Sequence, residues 1–413
     1  MTQTPWGLRA YLFSLAAAEA ALHRQLVHTQ KVAWSIAQAR GPFPDPGERP
    51  WLWAHAASGG DVRALRATLE ELQTPSSKPL AIYLSVVTTT GYDAGLEACR
   101  QGWVDAVAAA PIAMPGAMAR LWPSRPQAAI VERLEFWPTL LAPLAQHQIP
   151  WVLHNARMSD RSAAAYRALA PRWWPWLLSS LRCALVQDRG TRERLTTLAP
   201  HLQLQIHRAP FAKLAAARPP TLRAIAQLRQ RYPQLPDARR CLVAGSLHQE
   251  DLEQAVHGHD GRPMVVAPRY PEQATAMVQR LRGWGLEASV MSSGVTAPVQ
   301  VLDRFGELPV MYALARWSLV GGTWGGRGGH NPLEALVAGS GVVVGPSTDA
   351  IAALLAPFQE IERAVVHHCA RPGWPAEGVE PPDPKRLTAH VARWQATLGE
   401  ARRKAVVAAL QLG

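Results

Sequence analysis

WSLVGGTWGGRGGHNPLEALVAGSGVVVGP (residues 317–346) reads as a buried strand, a loop holding Gly321, Gly322, Gly325, Gly326, Gly328 and Gly329, a helix, and a second strand. Asn331 stands where an N-cap belongs, Pro332 at the first helical position, and Glu334 three residues after the cap, the spacing of a capping box. A cap requires no run of six glycines before it. A loop with so few side chains lets backbone N–H groups close on an anion, such as a nucleotide phosphate at the positive end of a helix, with a carboxylate, Glu334, to meet ribose hydroxyls. Capping and nucleotide binding are two readings of one motif, and the glycine run favours the second.

The same alternation extends in both directions. WLWAHAA (51–57), AIYLSVVTTT (81–90), PQAAIVERLEFW (126–137), IPWVLHNAR (149–157) and CALVQD (183–188) read as strands, with helical spacing in VRALRATLEEL and TLLAPLAQHQ between them. A second series comprises RCLVAGS (240–246), RPMVVAPR (262–269), LEASVM (286–291), VQVLDR (299–304), WSLVGG (317–322) and GSGVVVGP (339–346). Strand–helix repetition of this kind predicts parallel sheets covered by helices. The expected fold is therefore α/β, with two doubly wound Rossmann-like domains facing each other across a cleft and ligands at the carboxyl ends of the strands. The expected division is an N-terminal helical segment (1–45), a first domain (46–208), an Ala/Pro-rich linker (209–220) and a second domain (221–413).

A chain of 413 residues, 48% hydrophobic and 18% charged, can bury two such cores and is neither disordered nor fibrous. Its 43 Lys and Arg against 31 Asp and Glu give a net charge of +12, which suits an anionic partner. Only five of those cations are Lys, so coding composition also accounts for part of the Arg excess. No Lys/Arg-rich recognition helix or aromatic-basic module stands out, which argues against nucleic acid. The four cysteines show no CxxC pair and fit a reducing compartment rather than a disulfide framework or a zinc site.

The run GGRGGHNPLEA, with HNARMSDRSAAAY (154–166), LEFWP (134–138), GSLHQED (245–251), APRYPE (267–272) and FGEL (305–308), resembles the 3-deoxy-D-manno-octulosonic acid (Kdo) transferases of lipopolysaccharide synthesis, in their order and near their spacing. The resemblance implies a GT-B glycosyltransferase that takes CMP-Kdo as donor and a lipid A precursor or similar anionic glycolipid as acceptor, with no metal ion in the site and no other cofactor. It implies a peripheral enzyme on the cytoplasmic face of the bacterial inner membrane. By the same resemblance, CMP falls to Pro268 and Arg269, to Phe305, Gly306 and Glu307, and to Asn331, Pro332, Leu333 and Glu334, with His248 near the donor. A surface ion pair with Glu272 is the plain alternative for Arg269, a helix-start acid for Glu307, and a structural role for His248.

Two positions depart from the family pattern. HAASGGDVRAL (55–65) puts Asp61 where the resemblance expects a Glu as catalytic base, and a carboxylate shifted by ~1 Å can lose ~10²-fold in rate. In VERLEFWP (131–138), Glu132 and Glu135 are three apart where the family spaces its two acids by two, so either Arg133 replaces an acid or the strand end bulges. A one-residue slip turns a strand side chain to the other face, which leaves both acids as candidates. Lys213, in APFAKLA, falls on a family lysine that stabilises the transition state, although Pro210 replaces a glycine before it.

The N-terminal run from Ala10 to Ala18 is shorter than the ~20 apolar residues of a spanning helix. It reads as an amphipathic helix, either packed on the protein or lying on a bilayer. PRWWPWLL (171–178) offers Trp173, Trp174 and Trp176 for docking at a lipid surface, although core packing is the favoured reading.

Overall fold

A computed structural model describes residues 4–17, 42–73, 80–110, 120–169, 173–198, 200, 217–235, 240–257, 259, 261–367, 373–376 and 378–410. The chain divides into two compact units, one of residues 1–216 with 397–413 and one of residues 217–396.

In the first unit, strands β1 (Trp51–Ala56), β2 (Ala81–Val86), β3 (Ala106–Ala109), β4 (Ala128–Glu132), β5 (Trp151–Ala156) and β6 (Leu181–Val186) form a sheet ordered β3-β2-β1-β4-β5-β6. Every pairing is parallel. The strands read as near-continuous apolar runs because both faces are covered. Along β1, Trp51 and Trp53 enter one apolar cluster with Val131, Leu153 and Trp174, while Leu52, Ala54 and Ala56 enter another with Leu65, Leu69 and Val406. That alternation is the period of two of a strand seated between helical layers.

In the second unit, β7 (Cys241–Leu247), β8 (Met264–Pro268), β9 (Ala288–Val290), β10 (Val299–Val301), β11 (Ala315–Val320), β12 (Gly341–Val344) and β13 (Val365–His367) are ordered β13-β12-β11-β7-β8-β10-β9, again all parallel. Trp317 is fully buried in this core, and its indole donates to Val379 O at 3.0 Å. Both sheets are doubly wound, as the sequence predicts, and each gains one strand the sequence reading omits, β3 and β13.

The division differs from the sequence reading at the C-terminus. One continuous helix, Pro384–Leu410, begins in the second unit, yet Ala405, Val406 and Leu410 lie in the core of the first. Nothing in the helix's composition marks where it passes from one to the other. Trp174 and Trp176 are also settled: both are buried, and the Trp174 indole donates to Tyr166 O at 2.7 Å. Core packing, not lipid, accounts for them. Trp173 is half-buried, with its ring 5.1 Å from that of Tyr11.

Candidate active site

In a doubly wound sheet, ligands collect beyond the carboxyl ends of the strands where the order reverses. In the first unit that point lies between β1 and β4, and the residues that follow those two strands meet there. Ser58 precedes helix Gly59–Leu72, and its backbone N–H (3.2 Å) and hydroxyl (2.6 Å) both donate to Asp61 Oδ2. The other carboxylate oxygen, Oδ1, faces Arg133 Nε at 2.6 Å. Asp61 is buried, whereas the Arg133 side chain is 55% exposed.

Arg133 explains the irregular acid spacing. It has φ +59°, a left-handed conformation that costs a side-chain-bearing residue energy, and its backbone N–H donates to His154 O at 2.8 Å. Strand β4 ends one residue earlier, at Glu132. That acid is 1% exposed, with Oε2 2.6 Å from His154 Nδ1 and Oε1 accepting from Asn155 Nδ2 at 2.6 Å. His154 Nε2 in turn meets Thr68 Oγ1 at 2.9 Å, and Gln187 donates to Asn155 Oδ1 at 2.8 Å. Glu132 is thus committed to a buried network. Glu135 lies past the left-handed turn, half-buried, and accepts the Trp137 indole N–H at 2.7 Å. Its carboxyl is held above the usual range, chiefly by desolvation and further by the charge of Asp61, against the Trp137 hydrogen bond and Arg133. Glu135, rather than Glu132, shares the surroundings of Asp61.

Beneath this cluster, His55 on β1 is fully buried. Its Nδ1 is 2.8 Å from Ser85 Oγ, while Nε2 has no hydrogen-bond partner among the described residues. Burial pushes the imidazole down to about 3, so it is neutral at physiological pH.

In the second unit the order reverses between β7 and β11, where the glycine-rich loop departs. Asp251, fully buried near the start of helix Gln249–Val256, anchors it. Asp251 Oδ2 accepts the N–H groups of Gly322 (2.8 Å) and His248 (2.9 Å), and Oδ1 that of Trp324 at 3.4 Å. The glycines serve this folding-back more than ligand approach. A Cβ on Gly321 would stand 2.3 Å from Ser246 O, and one on Gly329, at φ +95°, 2.6 Å from the Ile351 side chain. Comparable contacts confront Gly325 and Gly328, and only Gly326 opens onto free space within 4 Å. Most of the glycine signal is therefore explained by the chain's own close packing.

The motif after the loop is shorter than its sequence suggests. The helix runs from Leu333 to Val337, too short for much of a macrodipole. Asn331 Oδ1 accepts the Leu333 N–H at 3.2 Å, and Pro332 is the flanking residue rather than the first helical one. Glu334 Oε1 accepts from the Asn331 side-chain amide at 3.4 Å. His248 Nε2 lies 3.0 Å from His330 Nε2, within reach for one ring N–H to donate to the other ring nitrogen. The His248 imidazole is held below its ordinary value by desolvation first and by Arg327. Asp251 and His330 escape a reading that looks for ligand groups alone, although Asp251 three residues after His248 is itself a visible helix-start signal.

Pro268 ends β8, and Arg269 sets its guanidinium 6.0 Å from the Tyr270 ring centre. Among the described residues Arg269 makes no ion pair with Glu272. Phe305 is 86% exposed next to Gly306 at φ +87°. The Glu307 carboxylate is engaged by Arg231 and accepts the Tyr232 hydroxyl at 2.7 Å, so its side chain is held by the protein. Lys213 lies outside the described residues.

Residues 30–208 match the family model described as 3-deoxy-D-manno-octulosonic-acid transferase (kdotransferase). The 3-deoxy-D-manno-octulosonic acid transferase of Bordetella pertussis is 28% identical over 351 residues, 76% of this chain and 74% of that one. The Haemophilus influenzae enzyme of the same name is 29% identical, covering 72% of this chain and 71% of its own. Among solved structures, the C-terminal CMP-Kdo binding domain of WaaA from Acinetobacter baumannii aligns with a TM-score of 0.31 and 23% identity, over 46% of this chain and 96% of that one.

Proposed function

Because this chain belongs to the Kdo transferase family of glycosyltransferases, we propose that it transfers Kdo from CMP-Kdo to a lipid A precursor or similar anionic glycolipid, with Asp61 as the general base. The observation that carries the base assignment is the convergence of Asp61, Arg133 and Glu135 at the reversal point of the first sheet. Oδ2 of Asp61 already accepts two hydrogen bonds from Ser58, whereas among the described residues Oδ1 faces only Arg133 and keeps a lone pair for an incoming hydroxyl. As that oxygen bonds to the anomeric carbon of Kdo, its proton passes to Oδ1. The bond from the anomeric carbon to the phosphate oxygen breaks, leaving its electron pair on CMP.

The donor falls to the second unit, where Pro268, Arg269, Phe305, Gly306, the loop to Asn331 and Pro332, Leu333 and Glu334, and the His248–His330 pair all follow strand ends. For Glu307 the supporting role is through its backbone and its hold on Arg231 and Tyr232, because its carboxylate is engaged. Lys213 keeps the transition-state role the resemblance implies. The Asp at position 61 and the extra residue at Arg133 favour a second reading, an acceptor that differs from the family's.

Attachment to an anionic membrane surface is part of the same proposal. Helix Trp6–Ala17 buries Leu8 but leaves Trp6 84% and Phe13 77% exposed, seven residues apart and therefore on one face. Among the described residues no helix is long and apolar enough to cross a membrane.

The deciding assay is CMP release from CMP-Kdo in the presence and absence of the lipid A precursor. Acceptor-dependent release that is lost in Asp61→Asn supports the reading. Wild-type protein that releases none defeats it.

A further inference from the structure

The Asp61–Arg133 pair presents a difficulty that the base assignment does not resolve. A base must receive a proton, yet Oδ1, the oxygen with capacity left, stands 2.6 Å from a guanidinium nitrogen. Of the five N–H donors of Arg133, only the one on Nε faces a partner among the described residues. The two terminal amino groups, on a side chain 55% exposed, have no carboxylate to bind among the described residues. The backbone beneath is not adaptable: Arg133 is left-handed and its N–H is fixed to His154 O, over the buried Glu132–His154–Asn155 network. A long flexible side chain thus rises from a rigid base, touching the candidate base with one edge and open on the other.

Resting on the function proposed above, we infer that Arg133 is the acceptor's anion-recognition residue, and that binding an acceptor phosphate through its terminal amino groups draws the guanidinium off Asp61 and frees Oδ1 for the proton. A planar guanidinium presents two parallel donors to a phosphate, so the exchange replaces a one-edge contact with a two-pronged one. Charge balance at the site accommodates the newcomer. Asp61 and Arg133 are paired there, and Glu135, which feels the charge of both, is the carboxyl already biased toward its neutral form by burial and by Asp61. The site would read its substrate twice: an acceptor without the anion binds weakly and also meets a base that is still occupied.

The experiment compares the phosphorylated lipid A precursor with the same lipid stripped by phosphatase, on full-length wild type, Arg133→Gln and Arg133→Asn. Asparagine tolerates the left-handed backbone, so it separates loss of the guanidinium from loss of the turn. Calorimetric titration of each lipid in detergent should show tighter binding of the phosphorylated form to wild type by about 10- to 100-fold, the worth of a charge-assisted hydrogen bond, and no such preference in either variant. In the transfer assay both variants should raise the acceptor KM while leaving the donor KM in place. With the stripped lipid the sign reverses, kcat rising above wild type because the guanidinium no longer occupies Oδ1 of Asp61. A phosphate preference that survives both variants, or a KM change confined to the donor, overturns the inference. If wild type transfers nothing, the function proposed above fails and the titration alone decides on Arg133.

Discussion

In the function proposed above Asp61 is the general base, and its isosteric amide gives the sharpest test. Asp61→Asn preserves size and much of the helix-start hydrogen bonding, so CMP affinity should hold while turnover falls by ~10²–10⁴-fold. Asp61→Glu asks whether the site has closed around the shorter acid. With Arg133 2.6 Å from Oδ1, the longer side chain is crowded and should be slower than Asp, as kcat measurements will show.

His55 predicts a pH effect on stability rather than on catalysis. Its folded value, about 3, lies below the 6.5 of the unfolded chain, so the unfolded state takes up the proton first as pH falls. The contribution is fully present above pH 6.5 and is lost by up to about 1.4 kcal/mol per pH unit on the way down to pH 3. Denaturant unfolding at pH 7 and pH 5 should show this loss in wild type and a smaller one in His55→Gln.

At the scale of single residues the sequence is a good guide to which side chains matter and a poor one to their company. Asp61 and Glu135 are legible as acids beside a strand end. The Arg133 contact and the burial of Glu132 are not, because both follow from one left-handed residue that composition does not announce.

Among the elements, the glycine-rich loop held the strongest sequence signal and yielded the most instructive revision. Its glycines are small chiefly because Ser246, Glu250, Ala350 and Ile351 occupy the space a Cβ would need, and Asp251 pins the loop to the neighbouring helix. Asp251→Ala would strip the partners from buried N–H groups at Gly322 and Trp324, which costs ~1–3 kcal/mol for each group left unsatisfied. The expected result is a second unit destabilised by several kcal/mol, measured by denaturant midpoint, with CMP affinity reduced alongside. Glu334→Ala should behave differently. Its test is CMP affinity, which should fall by more than the loss of a cap, worth ~1 kcal/mol of stability, would bring. Unchanged CMP affinity in calorimetry would leave Glu334 a purely local role. The strands that sequence reading overlooks are also the informative ones: Ala106–Ala109 is alanine-rich with one β-branched residue, and Val365–His367 is three residues long. Both are edge strands, where a short weak segment is drawn into register by its neighbour rather than by its own propensity.

For the whole molecule, the +12 charge and the outward Trp6 and Phe13 give the proposed membrane attachment a direct test. Co-sedimentation with anionic vesicles should weaken as salt rises, since each basic residue near the surface contributes ~1 kcal/mol that salt screens. Trp6→Ala with Phe13→Ala should reduce it further by about tenfold or more, the apolar share that salt does not screen. Binding indifferent to both changes would remove this helix from the interface. Trp174→Ala, in contrast, should lower thermal stability, because that indole is buried in the first core and hydrogen-bonded to Tyr166.

The helix Pro384–Leu410 carries a consequence for how the protein is made. Its last turns supply Ala405, Val406 and Leu410 to a core whose strands were all translated before residue 187, and Arg402 of the same helix pairs with Glu71. The domain that leaves the ribosome first is therefore the one completed last. Until synthesis reaches the final helix, one wall of that core has no cover and is open to chaperones, proteases or a neighbouring nascent chain. The later-made unit, closed within residues 217–396, bears no such delay.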